Sequence, residues 1–344
     1  MKLSNSAKYS SAVCAAVVML AGCSSSGPQS QLVSGPAQQN GFLPASITQS
    51  LGRSGARQTN VHPDQRKSWM APDAKEQNLL YISDAGTFYV DVYSYPKGAL
   101  VGQLTGLDGE PHGLGVDKAG DVFIPLGGGQ EVVEYAHGGT SPINTLSDPG
   151  YYPWDCAVDP TTGSLAVMNK RRQSSYGGDV LIYKNASGSP TVYTDPELPS
   201  PSFATYDDKG NLFVAGQDPG GQYAFAELPK GKKTFTNITL NVSIEAPGGI
   251  QWDGTYVAVV DQQASPSVIY HFTISGSNGT EVGSTTLTRS DDLQQFWIQG
   301  GSVISPQGTV VYFYDYPAGG EPIHTIYNGS GDLEDAFGAT VSLK

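Results

Sequence analysis

The residues best equipped for chemistry fall into two groups in the middle of the chain. Tyr151, Tyr152, Trp154 and Tyr176 flank the basic run Lys170-Arg171-Arg172, with Asp155 and His112 at comparable points of neighbouring segments. Aromatic rings stack on sugar or apolar faces, and guanidinium groups grip carboxylates through paired hydrogen bonds, so this group reads as a recognition surface. Packing between structural layers, with the basic run merely solvated, is the competing reading. The second group is rich in oxygen. Asp84, Asn169 and Asp261 close the similar stretches YISD, AVMN and AVVD, and Glu110 precedes Pro111-His112. Carboxylates with an amide suit a hard cation such as Ca²⁺, which takes roughly six to eight oxygens. The same side chains can instead cap their own turns by accepting nearby backbone N–H groups. Signatures of other chemistry are missing: the sequence has no Gly-x-Ser-x-Gly elbow, Cys-x-x-Cys pair, His-Glu-x-x-His run or phosphate loop. Its five histidines, at 62, 112, 137, 271 and 324, are too scattered for a histidine-rich metal site, although His112 could face a central channel.

The elements that must position these residues are short strands. No sustained apolar spacing of three and four runs through the chain, and 43 glycines, 23 prolines and 19 tyrosines mark tight turns and β-structure. Residues 111–148 give the reference unit. Strands are predicted at 112–116, 121–125, 130–135 and 142–146, separated by a turn at 117–120 and by the glycine run 127–129. The unit returns at 154–193, 202–240, 249–287 and 294–327, and its first turn has counterparts at 159–163 and 207–210. An earlier stretch, 78–104, is one strand short, and residues 337–343 carry the pattern of the missing member. The fold class is therefore all-β: a six-bladed β-propeller of four-stranded blades, its ring closed by the C-terminal strand pairing with the N-terminal blade. Closure of this kind removes the exposed sheet edges that invite aggregation. In such a ring the loops entering the innermost strands and those joining second to third strands share one face. That face would gather 109–112, 151–155, 169–178 and 261–266, together with Asp84, and is the expected binding site.

Residues 1–22 have the character of a secretory signal. Lys2 and Lys8 precede an apolar run at 12–21, far short of the roughly 20 residues a bilayer span needs. Leu20-Ala21-Gly22-Cys23 resembles the lipobox of bacterial lipoproteins. The resemblance implies cleavage before Cys23 and acylation of its thiol and new amine. Ser24, where an aspartate would mark inner-membrane retention, favours the outer membrane of the cell envelope. Residues 23–67 are poor in large apolar side chains and read as a flexible tether, leaving 68–344 as the propeller. With Cys14 removed and Cys23 acylated, Cys156 stands alone on an inner strand, so no disulfide forms within the monomer and a buried, inert thiol is expected. Residues 24–67 carry a net +3 and residues 68–344 a net −18. An acidic body is repelled by nucleic acid and anionic headgroups, so contact with the membrane is expected through the lipid anchor alone.

Residues 111–124, PHGLGVDKAGDVFI, and 201–214, PSFATYDDKGNLFV, resemble the blades of NHL-type six-bladed propellers, a likeness covering about residues 78–344. A more distant similarity is to the senescence-marker/gluconolactonase family, which implies a divalent cation held by Glu, Asn and Asp at the channel mouth. Glu110 stands near the place of that family's Glu-Gly-Pro acid, but the chain reads Glu-Pro-His-Gly there. It also has Pro153-Trp154-Asp155 and Pro247-Gly248-Gly249 where the family has Asn-Gly and Pro-Asp-Gly. The leading expectation is a non-catalytic, lipid-anchored, monomeric propeller that offers its loop face to a protein or saccharide ligand. The alternative is a cation-dependent hydrolase or lactonase using Glu110, Asp84, Asn169 and Asp261, and Ca²⁺ is the one cofactor considered.

Overall fold

The structure is a computed structural model that describes residues 67–149, 151–172, 177–327 and 333–344, with Arg172 described by its backbone alone. The predicted signal, Cys23, the tether up to residue 66 and Tyr176 lie outside the described residues. Six antiparallel sheets form the blades of a six-bladed β-propeller. The second strand of each blade is its most apolar. Leu79–Asp84, Val122–Gly127 and Val257–Asp261 are buried along their whole length, because neighbouring blades cover both faces. The outermost strands face solvent, and Pro142–Ser147 is exposed at most positions. The core accordingly lies in the seams. Leu80 and Ile82 of the first blade pack against Ile304 and Val311 of the sixth. Phe123 of the second meets Leu165, Val167 and Leu181 of the third.

The first blade contains both ends of the folded ring. Its sheet runs Trp69–Met70, Leu100–Leu104, Tyr89–Ser94, Leu79–Asp84 and finally Ala336–Ser342 at the axis. The closing strand is in register from Leu79 opposite Ser342 to Asp84 opposite Ala336. Side chains secure it. Ser342 Oγ donates to Gly120 O at 2.6 Å, and the His137 ring bridges Ser342 Oγ (2.6 Å) and Gln77 O (2.9 Å). The ring closure expected from residues 337–343 is thus present.

Three departures from the repeat matter. The innermost strand of the second blade is broken into Glu110–Pro111 and Gly115–Val116, because Gly113 N–H donates to Trp154 O in the next blade (2.9 Å). In the third blade the hairpin is longer than predicted. Tyr151–Val158 pairs with Leu165–Arg172, so Tyr151, Tyr152, Lys170 and Arg171 stand on strands where loops were expected. Its register shifts on either side of Pro153, which has no N–H to give the ladder. The predicted strand 233–240 is also divided. Thr236–Asn237 completes the fourth blade, whereas Thr239–Leu240 crosses over and pairs in parallel with Asn278 and Gly279 of the fifth. Helix is limited to the 3-10 turns Ala74–Glu76 and Lys184–Ala186, and no helix among the described residues is long and apolar enough to cross a membrane.

Candidate functional site: a cationic hairpin over an aromatic plug

The ring axis is filled with aromatic side chains at the end where the innermost strands begin. His112 stacks on Trp154 with centroids 4.3 Å apart, and Phe337 meets both edge-on at 4.9 and 5.2 Å. Phe203 stacks on Phe337 at 6.4 Å, and since their blades stand opposite one another the contact crosses the axis. Four rings from four blades form a plug. This corrects the expectation of an exposed aromatic platform, because Trp154 is only 3% exposed. Burying that much ring surface outweighs keeping the faces free for a ligand.

Asp155 lies behind the plug and is likewise unavailable to a ligand. Its Oδ2 accepts Ala204 N–H and its Oδ1 accepts Gln295 Nε2–H, both at 2.9 Å. Gln295 also bonds Leu114 N–H and C=O and Ala339 N–H, so one carboxylate and one amide brace five blades around the axis. Burial pushes the Asp155 carboxyl up to about 8. Gln295 was absent from the predicted site, and its one sequence signal is a polar residue on the line of an innermost strand. On the opposite face the axis opens into a cavity of about 180 Å³, lined by strand ends that include Val116, Cys156, Thr205, Trp252 and Trp297. Cys156 is buried, donates to Phe123 O at 3.6 Å and has its pKa raised by burial, an inert thiol as expected.

The long hairpin carries cations above the plug. Lys170 Nζ lies 3.9 Å over the Trp154 ring, and the Arg171 guanidinium carbon 4.9 Å over Tyr152. Tyr152 donates its hydroxyl to Glu110, whose carboxyl is raised chiefly by burial, against the lowering pull of Tyr152 and Arg171. His112 Nε2 is 3.8 Å from Glu110, yet neither ring nitrogen has a hydrogen-bond partner. Burial, reinforced by Lys170 and Arg171, lowers its pKa from 6.5 to about 3 and keeps the ring neutral. Lys170 is half-buried, and burial together with Arg171 lowers it to about 8. No hydrogen-bond acceptor or carboxylate among the described residues meets its ammonium. Arg171 is exposed, and Arg172 pairs with Tyr151 through the backbone. A carboxylate arriving from solvent would find two cations on one strand.

The oxygen-bearing set does not converge. Asp84 accepts the N–H groups of Gly86, Thr87, Glu334 and Asp335, and Asp261 those of Glu245, Ala246 and Gln263. Both are turn caps, which corrects their assignment as metal ligands. Glu110 is engaged by Tyr152, and Asn169 points instead toward Asp179 at 2.8 Å. Among the described residues no three of His, Cys, Asp and Glu come together in a way that could hold a metal ion.

No protein-family profile matches the sequence, and no curated protein matches it. Solved structures do resemble it in shape. A chain of a nidogen/laminin complex superposes with a TM-score of 0.62 at 12% identity, covering 77% of this chain and 98% of that one. A protein of unknown function from Bacteroides caccae gives 0.56 at 11% identity, covering 78% and 100%. At such identities the likeness extends to the β-propeller fold and no further.

Proposed function

We propose that this protein is a lipid-anchored, extracytoplasmic binding module that grips an acidic group of a protein or saccharide ligand with Lys170 and Arg171. The observation that carries the reading is the Lys170 ammonium, half-buried on the Trp154 ring with no acceptor of its own. A desolvated cation without a counter-charge is costly, and an incoming carboxylate would relieve that cost. The net −18 of the surrounding body makes the site selective, since acidic ligands are repelled everywhere else. Fold similarity to a chain of the nidogen/laminin complex agrees with a binding role. The expected result is that immobilised polyuronates or acidic peptides retain the wild-type protein while neutral counterparts do not. Retention is lost in the double variant Lys170→Met/Arg171→Gln; a variant that binds as well as wild type would overturn the proposal. The anchor rests on Leu20-Ala21-Gly22-Cys23, and mass spectrometry of the mature N-terminus should find an acylated Cys23.

A further inference from the structure

Asn169 belonged to the predicted cation site, and the structure gives it other partners. It stands on the hairpin strand Leu165–Arg172, directly opposite Asp179 in the register of the third blade. Asp148 approaches from the second blade, just beyond the strand Pro142–Ser147, its backbone fixed by donation to Gln130 O at 2.7 Å. Exposure is 2% for Asp148, 0% for Asn169 and 1% for Asp179, so all three are sealed into the seam. The Asn169 amide lies between the two acids, donating from Nδ2 to Asp179 Oδ1 at 2.8 Å and bonding Asp148 as well.

The arrangement leaves three oxygens unprovided for. Asp148 Oδ2, Asn169 Oδ1 and Asp179 Oδ2 are buried and accept no hydrogen bond. No lysine or arginine among the described residues pairs with either acid, and the nearest phenol, Tyr183, gives its hydrogen to Ser147 O at 3.1 Å. Two neighbouring carboxylates away from water repel each other, and a proton on one of them would leave the remaining orphans as they are. The amide is the informative group. Half a turn about its terminal torsion exchanges Nδ2 for Oδ1, placing an oxygen between the carboxylates where an N–H donor now stands in for positive charge. The resulting donors are all hard oxygens, with neither imidazole nor thiolate, and their irregular spacing suits a large divalent ion better than Mg²⁺.

We propose that Asp148, Asn169 and Asp179 bind Ca²⁺ in the seam between the second and third blades. The ion joins the two blades and fixes the strand that continues into Lys170 and Arg171. The purified full-length mature protein, stripped with EDTA, tests this by equilibrium dialysis against labelled calcium and by thermal melting. Expected are about one bound calcium per chain and a midpoint several degrees higher with Ca²⁺ than with EDTA, both lost in Asp148→Asn/Asp179→Asn. Wild-type protein that binds no calcium and melts at the same temperature in EDTA overturns the proposal, as does a double variant that still binds the ion. Should that variant fail to fold, terbium on the wild type decides. Emission sensitised through nearby Tyr183 and displaced by Ca²⁺ supports the site, and its absence overturns it.

Discussion

His112 occupies a position where a histidine can make none of its usual bonds. Its ring is sandwiched into the plug by Trp154, Phe337 and Tyr152, and both nitrogens are without partners. The consequence for stability follows from its titration. With a folded-state pKa of about 3 against an ordinary 6.5, the neutral ring contributes fully above pH 6.5, and that contribution is lost as pH falls toward 3. Replacing His112 by Phe keeps the ring and removes the orphan nitrogens. The variant should be as stable as wild type near neutrality, or more stable by about 1 kcal/mol. Urea unfolding at several pH values should also show a flatter acid limb between pH 6.5 and 3 for His112→Phe; equal slopes would contradict the account. Such residues were legible in the sequence by position but not by direction. His112, Trp154 and Asp155 were placed correctly at the innermost strands, yet whether a side chain there turns to solvent or to the axis depends on blades far away in sequence, such as those of Phe337 and Gln295.

At the scale of elements, the repeat was readable wherever a turn glycine followed an aspartate and an apolar run followed the turn. Gly120 and Gly210 both adopt φ near +85°, which only glycine takes without strain, so these turns recur at fixed points. The hairpin carrying Lys170 was not readable as strand. Its ends are basic at 170–172 and interrupted by Pro153, and the apolar alternation used to recognise strands is absent from both. The interruption at 112–114 was hidden for a related reason. A Cβ on Gly113 would lie 2.1 Å from Asp155 Oδ1, so the glycine that looks like strand filler in fact makes room for the brace behind the plug. The closing strand is the element on which most depends. Truncation before Ala336 leaves Leu79–Asp84, buried on every residue, as a bare edge, and also removes Phe337 from the plug. The expected outcome is loss of the monomer peak in size-exclusion chromatography and collapse of near-UV circular dichroism; a truncated chain that stays monomeric with native signals would show that the ring does not need its clasp.

For the whole molecule, the sequence disclosed the architecture because a ring of repeats writes itself many times over. It disclosed little of the function, because the features that matter there are those that occur once. The plug, the Gln295–Asp155 brace and the seam around Asn169 have no second copy to be compared with. The placement of both chain ends in the first blade adds a mechanical consequence. Trp69–Met70 lies on the outer edge of that sheet, held by two register pairs, whereas Ala336–Ser342 lies at the axis, held by six and by Ser342 and His137. A pull applied at residue 67 therefore unzips a two-residue strand from the rim, one bond after another, and spends itself before any load reaches the clasp. The molecule has a sacrificial hem: it can be tugged from its N-terminal side and fray there while the ring, and whatever it holds, stays whole.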